Sequence, residues 1–171
     1  MPTAARHSMT TAEWYTPAYI VDAARQAMGS IDLDPASCAT ANETVRAARY
    51  YTAEDDGLMQ TWRGNVFLNP PGGKDAHGCS LVPMFWAYLL ERFAEETVTQ
   101  AIWIGYSLEQ LQTLQRSYGP TPIDFPICIP KRRIAFVGRG GSPSHANYIT
   151  YLGDRVAEFE QAFGEIGAVS F

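Results

Sequence analysis

The stretch QAIWIGY, residues 100–106, constrains the fold of this chain more than any other. It is a continuous apolar run of strand length, and such a strand is buried on both faces. A sheet built around it needs helices above and below. The flanking segments predict them. PAYIVDAARQAM (17–28) opens on Pro17 and is followed by Gly29, the punctuation of a helix start and stop. SCATANETVRAARYY (37–51), SLVPMFWAYLLERF (80–93, with Pro83 near its start), SLEQLQTLQRSY (107–118, capped by Ser107) and RVAEFEQAFGEIG (155–167) predict four more.

Short strands are predicted at SIDLDPAS (30–37) and NVFL (65–68), and later at FPICIP (125–130), RRIAFV (132–137) and NYITYL (147–152). Strands alternate with helices through the first two thirds, which predicts an α/β fold with a largely parallel sheet. The late strands predict an antiparallel edge. At 171 residues the chain is expected to form one domain over 1–171, with residues 1–12 a loose polar lead and no length left for a separate target-recognition domain.

Composition narrows the function classes. The chain is 46% hydrophobic and 18% charged, as a folded globular protein is. No apolar run approaches the roughly 18 residues of a membrane helix. The first residues lack the apolar centre of a secretory signal, so a cytoplasmic location is expected. Cys38, Cys79 and Cys128 are odd in number and far apart, which predicts free thiols. The three histidines form no finger-like spacing with them, and no metal site is expected. A net charge of −5 does not advertise a nucleic-acid binder, but Lys131, Arg132 and Arg133 form a dense basic run suited to phosphate contacts.

The chemistry is read from GNVFLNPPGGK, residues 64–74. Pro70 and Pro71 force extended backbone on their predecessors and carry no N–H. The corner therefore offers carbonyl acceptors without competing donors, and Asn69 adds a side-chain acceptor at a strand end, where α/β sheets bind ligands. A rigid rim of two or more acceptors matches a group with two N–H donors, such as the exocyclic amine of a nucleobase. Gly72-Gly73-Lys74 does not make a phosphate loop: the Gly-x4-Gly-Lys-Ser/Thr spacing is absent and Asp75 follows the lysine.

An ordered set of elements resembles the phage-type DNA adenine-N6 methyltransferases, the Dam-like phage family. Glu13-Trp14-Tyr15-Thr16-Pro17 is similar to its Trp-x-Thr-Pro opening, and Ile31 to Ser37 to its Asp-Pro-Ala-Ser strand end. YYTAEDDGL (50–58) and Trp62 lead into Val66 to Pro71, followed later by Arg133-Ile134-Ala135-Phe136, then Phe159, Phe163 and Gly167. The resemblance implies a Rossmann-like, S-adenosylmethionine-dependent fold. It implies that Asn69, Pro70 and Pro71 are catalytic and that Tyr15, Thr16 and Pro17 border the methionine part of the cofactor. Asp32, Asp34 and Pro35 would lie by the cofactor, Asp34 as a solvated strand-end carboxylate, and Asp56 would contact an adenine.

Double-stranded DNA is the implied partner, in a bacterial host's cytoplasm. Masking a phage genome from restriction is one conceivable purpose. Gly72 stands where the family's corner carries an aromatic, so Phe85, Trp86 or Tyr15 is expected to stack on the base. The Gly-x-Gly loop usual under the cofactor is absent beside DLDPAS, which would be either the first or the second cofactor strand. A second reading is a non-catalytic DNA-binding accessory protein of the same fold. Loops 72–80 and 138–146 are expected to carry any sequence preference.

Overall fold

The computed structural model describes residues 14–117, 119–138 and 145–171. The lead at 1–12 and Arg139 to Ser144 of the loop 138–146 lie outside these. In chain order the elements are α1 (Ala18–Met28), β1 (Leu33–Asp34), α2 (Ala39–Val45), β2 (Arg49–Tyr50), β3 (Gly64–Leu68), α3 (Leu81–Ala94), β4 (Val98–Gly105), α4 (Leu108–Leu114), β5 (Ile127–Pro130), β6 (Tyr148–Leu152), α5 (Val156–Phe163) and β7 (Gly167–Ser170). Among the described residues the strands form one sheet in the order β2-β1-β3-β4-β6-β5-β7.

Strands β2, β1, β3 and β4 are parallel. The chain lays β2 on one side of β1, then crosses back to place β3 on the other. That reversal is a topological switch point, and in open α/β sheets ligands bind beyond the C-terminal strand ends at such a point. β1 carries DLDPAS and lies directly beside the strand that ends in Asn-Pro-Pro, so it is the first strand of the sheet's switch and not the second. Beyond β4 the sheet turns antiparallel, with β6 inserted between β4 and β5 and β7 at the edge.

β4 is buried on both faces, as its run predicts. Ile102 and Ile104 pack with α1 and α5, while Ala101 and Trp103 pack with α3 and α4; none is more than 1% exposed. The alternation recurs in β3, where Phe67 joins the α1–α5 core and Val66 and Leu68 join the other. Pro83 falls in the first turn of α3, where its missing N–H leaves no helical bond unmade.

Three expectations are corrected. The helix expected over 37–51 stops at Val45: Arg46 turns left-handed at φ 48° and Ala47 N donates to Asn42 Oδ1 at 2.9 Å. The freed residues Arg49 and Tyr50 then pair with β1. The closing helix ends at Phe163, and Gly167 begins a strand whose close approach to the Ile129 carbonyl leaves no room for a Cβ. RRIAFV is not a strand. Its Ile134 is fully buried in the α1–α5 core and Phe136 packs on it, so the segment crosses the top of that layer. Only Val137 forms a bridge, to Tyr15.

Candidate functional site

Asn69 directly follows β3, at the switch-point edge of the sheet. Its Nδ2 donates to the Trp14 carbonyl at 3.0 Å and to Thr16 Oγ1 at 3.3 Å. With its amide hydrogens so engaged, the side chain is held in one orientation, and among the described residues nothing donates to its Oδ1. No described donor reaches the carbonyls of Pro70 or Pro71. The corner is half-buried and presents three acceptors held on rigid backbone.

The opening element is fastened from both sides. Tyr15 N donates to the Val137 carbonyl at 2.7 Å and Val137 N returns the bond at 2.9 Å. The Tyr15 hydroxyl accepts from Cys38 Sγ at 3.8 Å, and Cys38 itself caps α2 by accepting from Ala41 N. Thr16 is 6% exposed, and Pro17 begins α1. Tyr15-Thr16-Pro17 thus bridges the Asn-Pro-Pro corner and the turn after β1.

Asp34 ends β1 beside that turn. It is 3% exposed, not the solvated carboxylate expected, and burial pushes its carboxyl up to about 7. The Ala36 amide, donating to Oδ1 at 3.2 Å, opposes the shift, as does the Ser37 hydroxyl. Ser37 Oγ acts from outside good hydrogen-bond geometry and is otherwise buried without a partner. No cation among the described residues pairs with Asp34. A buried carboxyl and an orphaned hydroxyl thus stand together at the strand end, polar groups of the kind that are rarely buried without partners.

The acidic loop packs against Pro35, the residue after Asp34. Asp56 sits at φ 53° and its Oδ1 accepts from Leu58 N at 3.3 Å. The next residue, Gly57, lies so close to the Pro35 carbonyl that a Cβ would collide with it. Trp62, fully buried, donates Nε1 to the Gly57 carbonyl at 2.8 Å and pins the loop. Asp55 is exposed, and the Thr52 amide and hydroxyl, both donating at 2.8 Å, hold its carboxyl below its ordinary value. It braces the loop, and Asp56 directly precedes the glycine that packs on Pro35.

Comparison with family models matches residues 5–116 to the family described as DNA N-6-adenine-methyltransferase (Dam). The chain belongs to that family. The match covers more than half of the chain and includes the opening element, the strand end at Asp34 and the Asn-Pro-Pro corner. Membership in a methyltransferase family gives no support to the accessory-protein reading. No curated protein and no solved structure matches at a significant level.

Within this Dam-family chain, the Asp32 carboxyl is tied to the start of β3 rather than turned to the Asn-Pro-Pro corner. Its Oδ2 accepts from Asn65 N at 2.8 Å and its Oδ1 from Ser30 Oγ at 2.9 Å, level with the start of β3. That is four residues below Asn69, roughly 13 Å along the strand. Gly64, at φ +78°, leaves the room that Asp32 occupies. A cavity of about 310 Å³ lined by Asp32, Arg49, Thr61 and Arg63 opens at that opposite edge and is remote from the Asn-Pro-Pro corner.

Phe85 and Trp86 are core residues, 3% and 2% exposed, and Trp86 Nε1 donates to the Pro120 carbonyl at 2.9 Å. Neither can face a ligand. The basic run is exposed at the C-terminal end of β5, on the switch-point edge. Lys131 Nζ is tied to the Glu165 carbonyl at 3.2 Å, and the chain continues from Arg133 to Val137 and so to Tyr15. Sequence reasoning missed Ser37, Cys38 and Gly57; the glycine after an acidic run was the available signal for a close backbone approach.

Proposed function

We propose that this chain transfers a methyl group from S-adenosylmethionine to the exocyclic amine of an adenine turned out of double-stranded DNA. The observation that carries this reading is the Asn69-Pro70-Pro71 corner. Its acceptors lie on the strand edge beside a buried carboxylate, in a chain of the Dam family.

The cofactor fits the residues present. Asp34 and Ser37 offer the cradle its ammonium group requires, and Asp56 lies within the closing loop for a hydroxyl or a ring amine. When bound, S-adenosylmethionine supplies the methyl group as an activated sulfonium. Tyr15-Thr16-Pro17 then lines the passage between Asp34 and Asn69.

The adenine amine is a poor nucleophile because its lone pair is delocalised into the ring. Asn69 Oδ1 and the Pro70 carbonyl accept its two hydrogens and draw the nitrogen toward tetrahedral geometry. The same dipoles stabilise the positive charge that grows on nitrogen as the new bond forms. No base is needed beforehand, because the proton leaves after the nitrogen has become cationic. Fixing Asn69 through Trp14 and Thr16 holds these acceptors in place before the substrate arrives.

Arg132 and Arg133 are exposed on the same edge and serve as phosphate contacts in this reading. A phage or prophage origin and action in a bacterial cytoplasm belong to the same proposal. The test is modified-base sequencing of DNA from a host that lacks adenine methylation and expresses this chain. Methylated adenines support the reading, and their absence despite folded, expressed protein counts against it.

A further inference from the structure

An extruded base needs a face to lie on, and base–aromatic stacking supplies it wherever single bases are held. The corner itself ends in Gly72, and Phe85 and Trp86 are sealed in the core. An exposed ring paired with a half-buried one stands at the switch-point edge. Tyr106 directly follows β4, is 43% exposed, and its ring centroid lies 4.8 Å from that of His145 at an interplanar angle of 38°.

Register places Tyr106 beside the corner. Leu68 pairs with Trp103 in adjacent parallel strands, so Asn69-Pro70-Pro71 and Ile104-Gly105-Tyr106 leave the sheet side by side. The separation across is one strand spacing, about 4.8 Å. Alternation also agrees: Phe67 faces the α1–α5 layer and so, two residues on, does Asn69. Ile102 and Ile104 face that layer and so, two residues on, does Tyr106.

The mount is rigid. Tyr106 N donates to Gln110 Oε1 at 2.9 Å, and the same oxygen accepts from the Tyr148 hydroxyl at 3.1 Å. Asn147 Nδ2 donates to the Gly105 carbonyl at 3.1 Å and to the Tyr106 carbonyl at 3.5 Å. Asn147 is 5% exposed, and its Oδ1 is buried without a partner among the described residues. Gly105 must be bare, since the Tyr148 ring fills the place of a Cβ. A network of four hydrogen bonds thus anchors the backbone beneath a partly exposed ring.

We propose that Tyr106, backed by His145, is the aromatic face on which the extruded adenine stacks while Asn69 and Pro70 hold its amine. This rests on the methyltransferase reading. The test is methyl transfer from tritiated S-adenosylmethionine, at saturation, to plasmid DNA from a strain without adenine methylation. Wild type, Tyr106→Phe, Tyr106→Leu and Tyr106→Ala are compared, with folding checked by circular dichroism.

Loss of one stacked base lowers kcat/KM for DNA by about fivefold to a hundredfold in the Ala and Leu variants, while Phe stays within about twofold of wild type. The KM for S-adenosylmethionine is unchanged in all. Should Ala fail to fold, Leu keeps the bulk and lacks the π-face, so the comparison with Phe still decides. Folded Leu or Ala variants with wild-type kcat/KM overturn the assignment of Tyr106 and leave the methyltransferase reading standing. A wild-type protein without transfer overturns both.

Discussion

Asn69 Nδ2 donates to the carbonyl of Trp14 at 3.0 Å, joining residues 55 positions apart. With the bond to Thr16 Oγ1 at 3.3 Å it latches the opening element to the Asn-Pro-Pro corner, so Asn69 has two separable duties. Its nitrogen holds the chain, and its oxygen faces the ligand. Asn69→Asp keeps an acceptor but sets an oxygen against the Trp14 carbonyl. It should therefore cost about 1–3 kcal/mol of stability through the unpaired acceptor, read as a lower melting temperature. A melting curve identical to wild type would show that the latch contributes nothing.

The buried Asp34 carboxyl makes stability and binding pH-dependent in opposite senses. Its pKa is raised in the folded chain from 3.8 to about 7. The folded state therefore holds the proton more tightly than the unfolded one. That contribution is fully present below 3.8 and is lost as pH rises through about 7. Asp34→Asn should flatten the fall in stability across this window. A bound ammonium favours the charged carboxylate, so wild-type affinity for S-adenosylmethionine should rise with pH through about 7. The Asn variant should bind weakly throughout. Calorimetry on both proteins measures this, and parallel pH profiles would remove Asp34 from the cofactor site.

Gly57 is required by space. A methyl group there meets the Pro35 carbonyl, and the loop carrying Asp56 must then move away from the strand end. Gly57→Ala should destabilise the fold by about 1–3 kcal/mol, as overpacking does, and should also reduce stabilisation by added cofactor. Thermal melting with and without S-adenosylmethionine gives both values. An Ala variant equal to wild type in both would free the loop from any role in closing the site.

The exposed arginines predict a salt signature. Removing one phosphate contact lowers the slope of log K against log salt by about one unit. Arg133→Ala and Arg132→Ala should each show that change with little effect on folding, because neither side chain is buried. Lys131 is tied to the Glu165 carbonyl and should contribute less. An unaltered slope in the double variant would make the run ordinary surface.

What could be read from the sequence was what local chemistry dictates. The uninterrupted apolar run at β4 and the stiff backbone of Asn69-Pro70-Pro71 act through neighbours in the chain, and both are found where expected. RRIAFV misled because a period of two reports extended backbone and not a paired strand. Ile134 and Phe136 satisfy it by dipping into a helical layer. Asp34 looked solvated because nothing in DLDPAS shows that the loop of Gly57 and Trp62, more than twenty residues on, packs against Pro35 at the same strand end. Asp32 and Asp34 are indistinguishable in DLD, and only the level of Asp32 against Asn65 separates them. Tyr106 read as the tail of a core strand until the register with β3 placed it level with Pro71, at the Asn-Pro-Pro corner.

The most direct test of the central claim is nucleoside mass spectrometry of unmethylated DNA incubated with purified protein and S-adenosylmethionine. The account predicts N6-methyldeoxyadenosine with wild type. It predicts a loss of about 10²–10³ in rate for a folded, cofactor-binding Asn69→Ala variant, the effect of deleting one positioned acceptor. A folded wild-type protein that leaves the adenines unmodified, or an Asn69→Ala variant that methylates them at the wild-type rate, would contradict it.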